Sequence, residues 1–339
     1  AVYHKKDKLT MFMPKELKDI PMWAEQLFEE SLGKDGKGVS LFYGEKLSAK
    51  KLKPAELNDR VFFRIKLAGK KPEAKLWSYL SEHKYPVFEI NAGSINSIGG
   101  ILLGLQRAVA VVGYLWDICF VDQPAVEGYK KATKEVMAQP GEVKAPEQWG
   151  WAGYKKIKLY YGPLIEAGII SEDELKGETK ALKGSFEDAP AVYAAILSLL
   201  LRKTRLEAVE LTSYGRMTEG LRGILEEARY NLFTQGLKMP AKLGEGPDKN
   251  HSYHQNIEDG KDMWFSTYFM AGVLEQPQAL EFDRRLLKAQ TIGTVQSLIN
   301  KSRRVVLVEL EGTIKDAEDD VRDFFSQVFK VFKRQIFHG

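Results

Sequence analysis

Hydrophobic and polar positions alternate between two periods along the first part of this chain. A short apolar run covers Leu9 to Met13, and Ile20 to Glu30 has helical spacing through Trp23, Leu27 and Phe28. Val39 to Tyr43 and Val61 to Leu67 read as strands, the second dense in Val61, Phe62, Phe63 and Ile65. Ala74 to His83 reads as a helix, and Tyr85 to Ile90 as a strand that tolerates Pro86 near its start. A long apolar helix is expected over Gly99 to Phe120. Another follows over Gln123 to Met137, entered through Pro124, whose fixed φ and missing N–H suit a first helical turn.

Two prolines, a glycine and polar residues interrupt any regular element from Ala138 to Pro146. A domain is therefore expected over residues 1–138, a linker over 139–149 and a second α/β domain with a helical lead-in over 150–339. Trp151 to Leu201 reads as mostly helical, with Ser171 and Glu174 spaced as a capping box. Strands are expected at Leu206–Leu211, Met263–Met270 and Val305–Leu310, and helices at Met217–Thr234, Phe282–Asn300 and Ala317–Phe337. The last carries an apolar stripe of Val321, Phe324, Phe325, Val328 and Phe332, which reads as core or interface. Such alternation of strands and helices predicts α/β layers with largely parallel sheets.

Composition narrows the picture. The 339 residues allow two ordinary domains, and a hydrophobic share of 44% supports packed cores. With 50 Lys+Arg against 46 Asp+Glu, the formal charge of +4 gives no reason to expect a nucleic-acid partner. The single cysteine, Cys119, rules out an intrachain disulfide, fits a reducing cytosol and is expected to be a buried thiol. The opening AVYHKKDKLT lacks the apolar core of a secretory signal. It also lacks an initial Met, so the chain reads as a piece of something longer. The apolar run from Ala108 to Trp116 is too short for a membrane span and reads as a buried helix.

Candidate chemistry gathers in two segments about a hundred residues apart. WAEQLFEESLGKDGKG offers carboxylates beside a Gly/Lys loop, and ICFVDQPAVEGYKKA offers a lysine on a helix. A carboxylate and an ammonium brought together could move protons on a sugar. The order E-Q-L, two residues, E-S, one residue, G-K-x-G-K-G, then the strand NDRVFFRIKL, then F-V-D-Q-P-A-V before a lysine resembles the glucose-6-phosphate isomerase family from about Asp7 to Lys134. The resemblance implies a three-layer α-β-α, flavodoxin-like sugar-isomerase fold, with residues 1–138 as the second sugar-isomerase domain of such an enzyme.

Residue by residue, the resemblance makes Glu30 the base that carries a proton between C2 and C1 through an enediol, Lys130 an assistant in ring opening, and Gln123 a substrate neighbour. Lys34 would help shape the substrate site. GEGPDKNHSYHQ resembles the family's histidine motif, although it follows the lysine instead of preceding it, and His251 is the better match, with His254 a turn later. Two histidines alone make no metal site, because no further ligands are grouped with them. Thr212 and Ser213, between a strand and a helix, are candidates to hold phosphate. The implied activity is the glycolytic and gluconeogenic interconversion of glucose 6-phosphate and fructose 6-phosphate in the cytoplasm, without metal or cofactor. The substrate is a small phosphosugar, with neither nucleic acid nor membrane as partner, and the chain is expected either to form a homo-oligomer or to lack an N-terminal sugar-isomerase domain. A non-catalytic sugar-phosphate sensor is the alternative.

Overall fold

The computed structural model describes residues 6–47, 59–69, 74–122, 124–273 and 284–336. They fall into two compact units, one of residues 1–124 with 251–261 and one of residues 125–250 with 262–339. The division at Pro124/Ala125 comes ahead of the expected 139–149 linker, and an eleven-residue piece of the second half belongs with the first unit.

In the first unit, β1 (Lys8–Phe12), α1 (Ile20–Leu32), β2 (Ser40–Tyr43), β3 (Arg60–Leu67), α2 (Ala74–Glu82), β4 (Val87–Ala92) and α3 (Ile98–Trp116) form an α/β layer. Its four strands are parallel in the order β2-β1-β3-β4. From β1 the chain moves one way to β2, and from β3 the other way to β4. Right-handed crossovers therefore put α1 and α2 on opposite faces. The cores agree: Met11, Phe63, Ile65 and Leu67 pack with α1 and α3, whereas Phe62 packs with Leu76, Trp77 and Leu80 of α2. The α2 face also buries Arg60, whose charge is met by Glu45 at 2.6 Å and Thr10 at 3.0 Å, as a buried guanidinium requires.

Helix α3 departs from expectation. By length and composition Ile95–Trp116 is long enough to cross a membrane, yet in this layer it buries a single stripe, Ile101, Leu105, Val109 and Gly113. One sheet face offers a helix one line of contact, so Leu103, Val111, Tyr114 and Leu115 stand exposed. Cys119 is exposed as well, contrary to the buried thiol expected. It lies beyond the left-handed Asp117 that ends α3, where the chain has left the packed face.

The second unit begins with α4 (Pro124–Ala138), followed by strands β5 (Trp151–Tyr154) and β6 (Ile157–Tyr160) where helix was expected. Lys155, at positive φ, turns these into a tight antiparallel hairpin, and the alternation of WAGYKKIKLY is that of strands. Then come α5 (Gly162–Glu166), α6 (Glu172–Ala181), α7 (Ala189–Lys203), β7 (Ala208–Tyr214), α8 (Glu219–Ala228) and β8 (Ala241–Gly246). The Ser171–Glu174 capping box forms as its spacing predicts. Helix α9 (Tyr253–Asp259) lies in the first unit; β9 (Trp264–Ala271), α10 (Arg284–Asn300), β10 (Arg304–Leu310) and α11 (Ile314–Ile336) complete the second.

Parallel strands β8-β7-β9-β10 repeat the topology of the first unit, and the β6-β5 hairpin extends the sheet antiparallel beyond β10. One face, with Val209, Leu211, Phe265, Phe269, Val306 and Val308, packs on α7, α8 and α11. Val321, Phe324, Phe325, Val328 and Phe332 of α11 are core, as their spacing predicts. On the other face Tyr214 donates to Asn250 at 2.8 Å, and Asn250 donates to Thr294 of α10 at 3.1 Å. Helices thus flank parallel sheets on both sides, the three-layer α/β arrangement expected.

The burial stripe of α3 yields a matched test. Leu105→Ala, at 6% exposure, is expected to cost about 2–5 kcal/mol in denaturant unfolding. Leu103→Ala, at 48% exposure on the same helix, is expected to stay within about 0.5 kcal/mol of wild type.

Candidate functional site

Glu29 and Glu30 close α1, and one residue of helix rotation gives them different surroundings. Glu29 lies on the stripe with Glu25 and is fully buried. Its Oε1 accepts from the Leu41 N–H at 2.7 Å and its Oε2 from Asn256 Nδ2 at 3.0 Å. Glu30 is half-buried, and its carboxylate accepts from Gln26 Nε2 at 3.2 Å, one turn back. Of the two, Glu30 is the one whose carboxylate reaches solvent, and hence a soluble substrate.

The Gly/Lys loop after α1 is tied down by its lysines. Lys34 is 4% exposed. Its ammonium donates to the carbonyl of Cys119 at 2.7 Å and to that of Asp122, and pairs with the Asp122 carboxylate at 2.8 Å. Lys37 donates to the Trp116 carbonyl at 2.7 Å. Lys37 thus serves a last-turn carbonyl of α3, which has no partner within the helix and sits at its negative pole, while Lys34 holds the chain beyond the helix. Lys34 joins the two segments singled out by sequence, since Asp122 opens the D-Q-P run. The bonded ammonium holds the Asp122 carboxyl below the usual range, and the opposing effect of burial is smaller. Gln123 lies outside the described residues.

The histidine segment enters α9 from a short turn, Asp248–His251. His251 is exposed, whereas His254 is 2% exposed with its ring edge-on to Tyr253, centroids 5.0 Å apart. Helix α9 packs on α1 within the first unit. Gln255 Nε2 donates to the Gly33 carbonyl at 3.0 Å, and the Gly36 N–H donates to the Asp259 carbonyl at 2.9 Å. The chain therefore brings the histidine segment to the Glu30 helix although about 220 residues separate them in sequence.

Lys130 lies on α4, in the second unit, with its side chain 43% exposed and paired with Glu127 at 3.1 Å. Thr212 and Ser213 are fully buried within β7, and Thr212 Oγ1 donates to Glu210 at 2.6 Å. The cap of α8 is instead Thr218, which accepts from Leu221 N–H at 3.0 Å. Glu318 meets the Thr218 hydroxyl, and its carboxylate lies against Gly220. Glu245 accepts from the Met217 N–H at 3.4 Å and pairs with Arg222. A phosphate approaching this helix end would meet two carboxylates.

Sequence reasoning passed over Glu29 and missed Gln255 and Asn256. Only their nearness to His251, Gln255 within the motif and Asn256 just after it, pointed to them.

No protein-family model matches this chain, and no curated protein sequence does. Among solved structures, similar chains include a hypothetical protein from Thermus thermophilus, at 13% identity over 96% of this chain and 77% of that one, with a TM-score of 0.34. A glucose-6-phosphate isomerase from Chlamydia trachomatis is similar at 11% identity over 98% of this chain and 66% of that one, with a TM-score of 0.32. This is a distant structural relation that carries no functional argument by itself.

Lys34→Met keeps the aliphatic stem and removes the ammonium. It is expected to cost about 1–3 kcal/mol in urea unfolding, chiefly from two carbonyls left without their donor. It should also move the Asp122 titration, followed by carboxyl NMR, up toward the usual carboxylate range. The depressed Asp122 contributes stability present above its unfolded value and lost as pH falls through the folded one, so that part of the acid sensitivity should vanish in the variant.

Proposed function

We propose that this chain is an aldose–ketose isomerase of a phosphosugar, interconverting glucose 6-phosphate and fructose 6-phosphate in glycolysis and gluconeogenesis in the cytoplasm. The observation that carries the reading is the docking of the HSYHQN segment on the helix that ends in Glu30-Ser31-Leu32-Gly33-Lys34. Two motifs that resemble parts of one isomerase site, far apart and in unexpected order, belong to one compact unit. The two groups that the resemblance makes catalytic there, Glu30 and His251, both reach solvent, while their neighbours Glu29 and His254 are buried.

In this reading Glu30 removes the proton from C2 of the open-chain sugar and returns it to C1, the enediol lying between. A partly buried glutamate suits the task because its basicity is tunable toward neutrality. His251 moves protons at the ring oxygen and the C1 hydroxyl during ring opening. The carboxylates of Glu245 and Glu318 at the start of α8 disfavour that helix end as the phosphate grip, so the phosphate is assigned to another part of the assembled enzyme.

A coupled assay of fructose 6-phosphate conversion tests the reading. Glu30→Gln is expected to lower kcat by about 10²–10⁴-fold, the range for a positioned acid–base group, with unchanged circular dichroism. Wild-type turnover in that variant would sink the assignment of Glu30. A native protein that binds the sugar phosphate without converting it would favour the sensor alternative.

A further inference from the structure

The Glu29 carboxylate and the Asn256 amide form a buried contact that the isomerase reading does not use. Asn256 is 1% exposed, and its Nδ2 donates to Glu29 Oε2 at 3.0 Å and to Ser40 Oγ at 2.9 Å. The carboxylate fixes the amide's orientation, because the flipped amide would set oxygen against oxygen. Glu29's other oxygen holds the Leu41 N–H at 2.7 Å. One carboxylate thus ties together the last turn of α1, the start of β2 and the middle of α9.

Three glycines make the room. A Cβ on Gly33 would lie 2.4 Å from Asn256 Cα, and Cβ atoms on Gly38 and Gly260 would lie 2.1 and 2.2 Å from its Oδ1. Gly38 and Gly33 bracket the Gly/Lys loop, and Gly260 ends α9. The loop glycines therefore have a packing reason: they accommodate a side chain from far along the sequence. Oδ1 itself is buried with no hydrogen-bond donor among the described residues, so the shape of the slot, together with Nδ2, holds the amide.

We propose that Asn256 and Glu29 are positioning residues, a latch that holds the His251 segment in register with Glu30. The inference rests on the isomerase reading for its catalytic consequence, while the latch itself is a statement about the first unit alone. Glu29 adjoins Glu30 in the same helical turn, and Asn256 lies five residues after His251. Loss of the bond frees α9 to shift against α1. Displacement of a catalytic group by about 1 Å costs on the order of 100-fold in rate, which sets the scale of the effect.

The test is a reciprocal exchange. Glu29→Gln and Asn256→Asp each spoil the carboxylate–amide match, the first setting amide against amide and the second carboxylate against carboxylate. The double variant E29Q/N256D restores an amide–carboxylate pair with the partners reversed. Each single variant, assayed well below its own melting midpoint, is expected to lose about 10–100-fold in kcat with KM within about threefold of wild type. Amide exchange in 33–40 and 251–260 should quicken in the singles and slow again in the double variant, which should also regain kcat. Folded single variants with wild-type kcat and wild-type exchange would overturn the proposal, as would a double variant that regains its melting midpoint and not its kcat. An inactive native chain would sink the isomerase reading, and the exchange pattern of the singles and the double variant would then decide the latch alone.

Discussion

A buried carboxylate needs donors, and Glu29 finds one on β2 and another on a helix 227 residues further along the chain. The first unit depends on that requirement. Leaving Glu29 without its donors would strand a charge in an apolar interior, at a cost of several kcal/mol. Satisfying it draws α9 out of the second half of the sequence and seats it against α1. The turn that provides Glu29 also provides Glu30, and the segment that provides Asn256 also provides His251, so the bond sets how the two motif segments lie along each other.

Both units use one topology. Each has four parallel strands in which the first element of the sheet sits inside, with the chain winding out to either side. This order places helices on both faces and leaves a cleft where the winding reverses, at the carboxyl ends of the strands. The units differ in what fills that region. In the second, the turn after β7 faces the carboxylates of Glu245 and Glu318. In the first, the Gly/Lys loop lies at the other edge of the sheet, between α1 and the amino end of β2, where Lys34 and Lys37 donate to carbonyls of Cys119, Asp122 and Trp116. The Lys34 charge is taken up by the chain between Cys119 and Asp122.

Periodicity was a reliable guide where one face of an element is packed. The strand runs of the first half, the capping box at Ser171 and the apolar stripe of α11 formed as their spacing predicts. It failed where spacing carries little information. WAGYKKIKLY was read as helix because its polar residues obscure a four-residue strand on each side of the turn, and KLGEG in β8 has too few β-formers to show. Apolar composition also misled at α3, whose hydrophobicity exceeds what a single helix–sheet contact can bury, and at Cys119, whose neighbours are apolar but whose place is after the helix.

The sequence by itself determined the α/β class and most of the elements. These are local properties, written in spacing and in short motifs. Tertiary structure alone decided that Glu29 is buried while Glu30 is not, that Lys34 is an anchor, and that the HSYHQN segment belongs to the first unit. Each of these depends on which donor meets which acceptor across a long stretch of chain. Sequence spacing does not encode that choice; the need to satisfy buried polar groups after the chain has collapsed makes it.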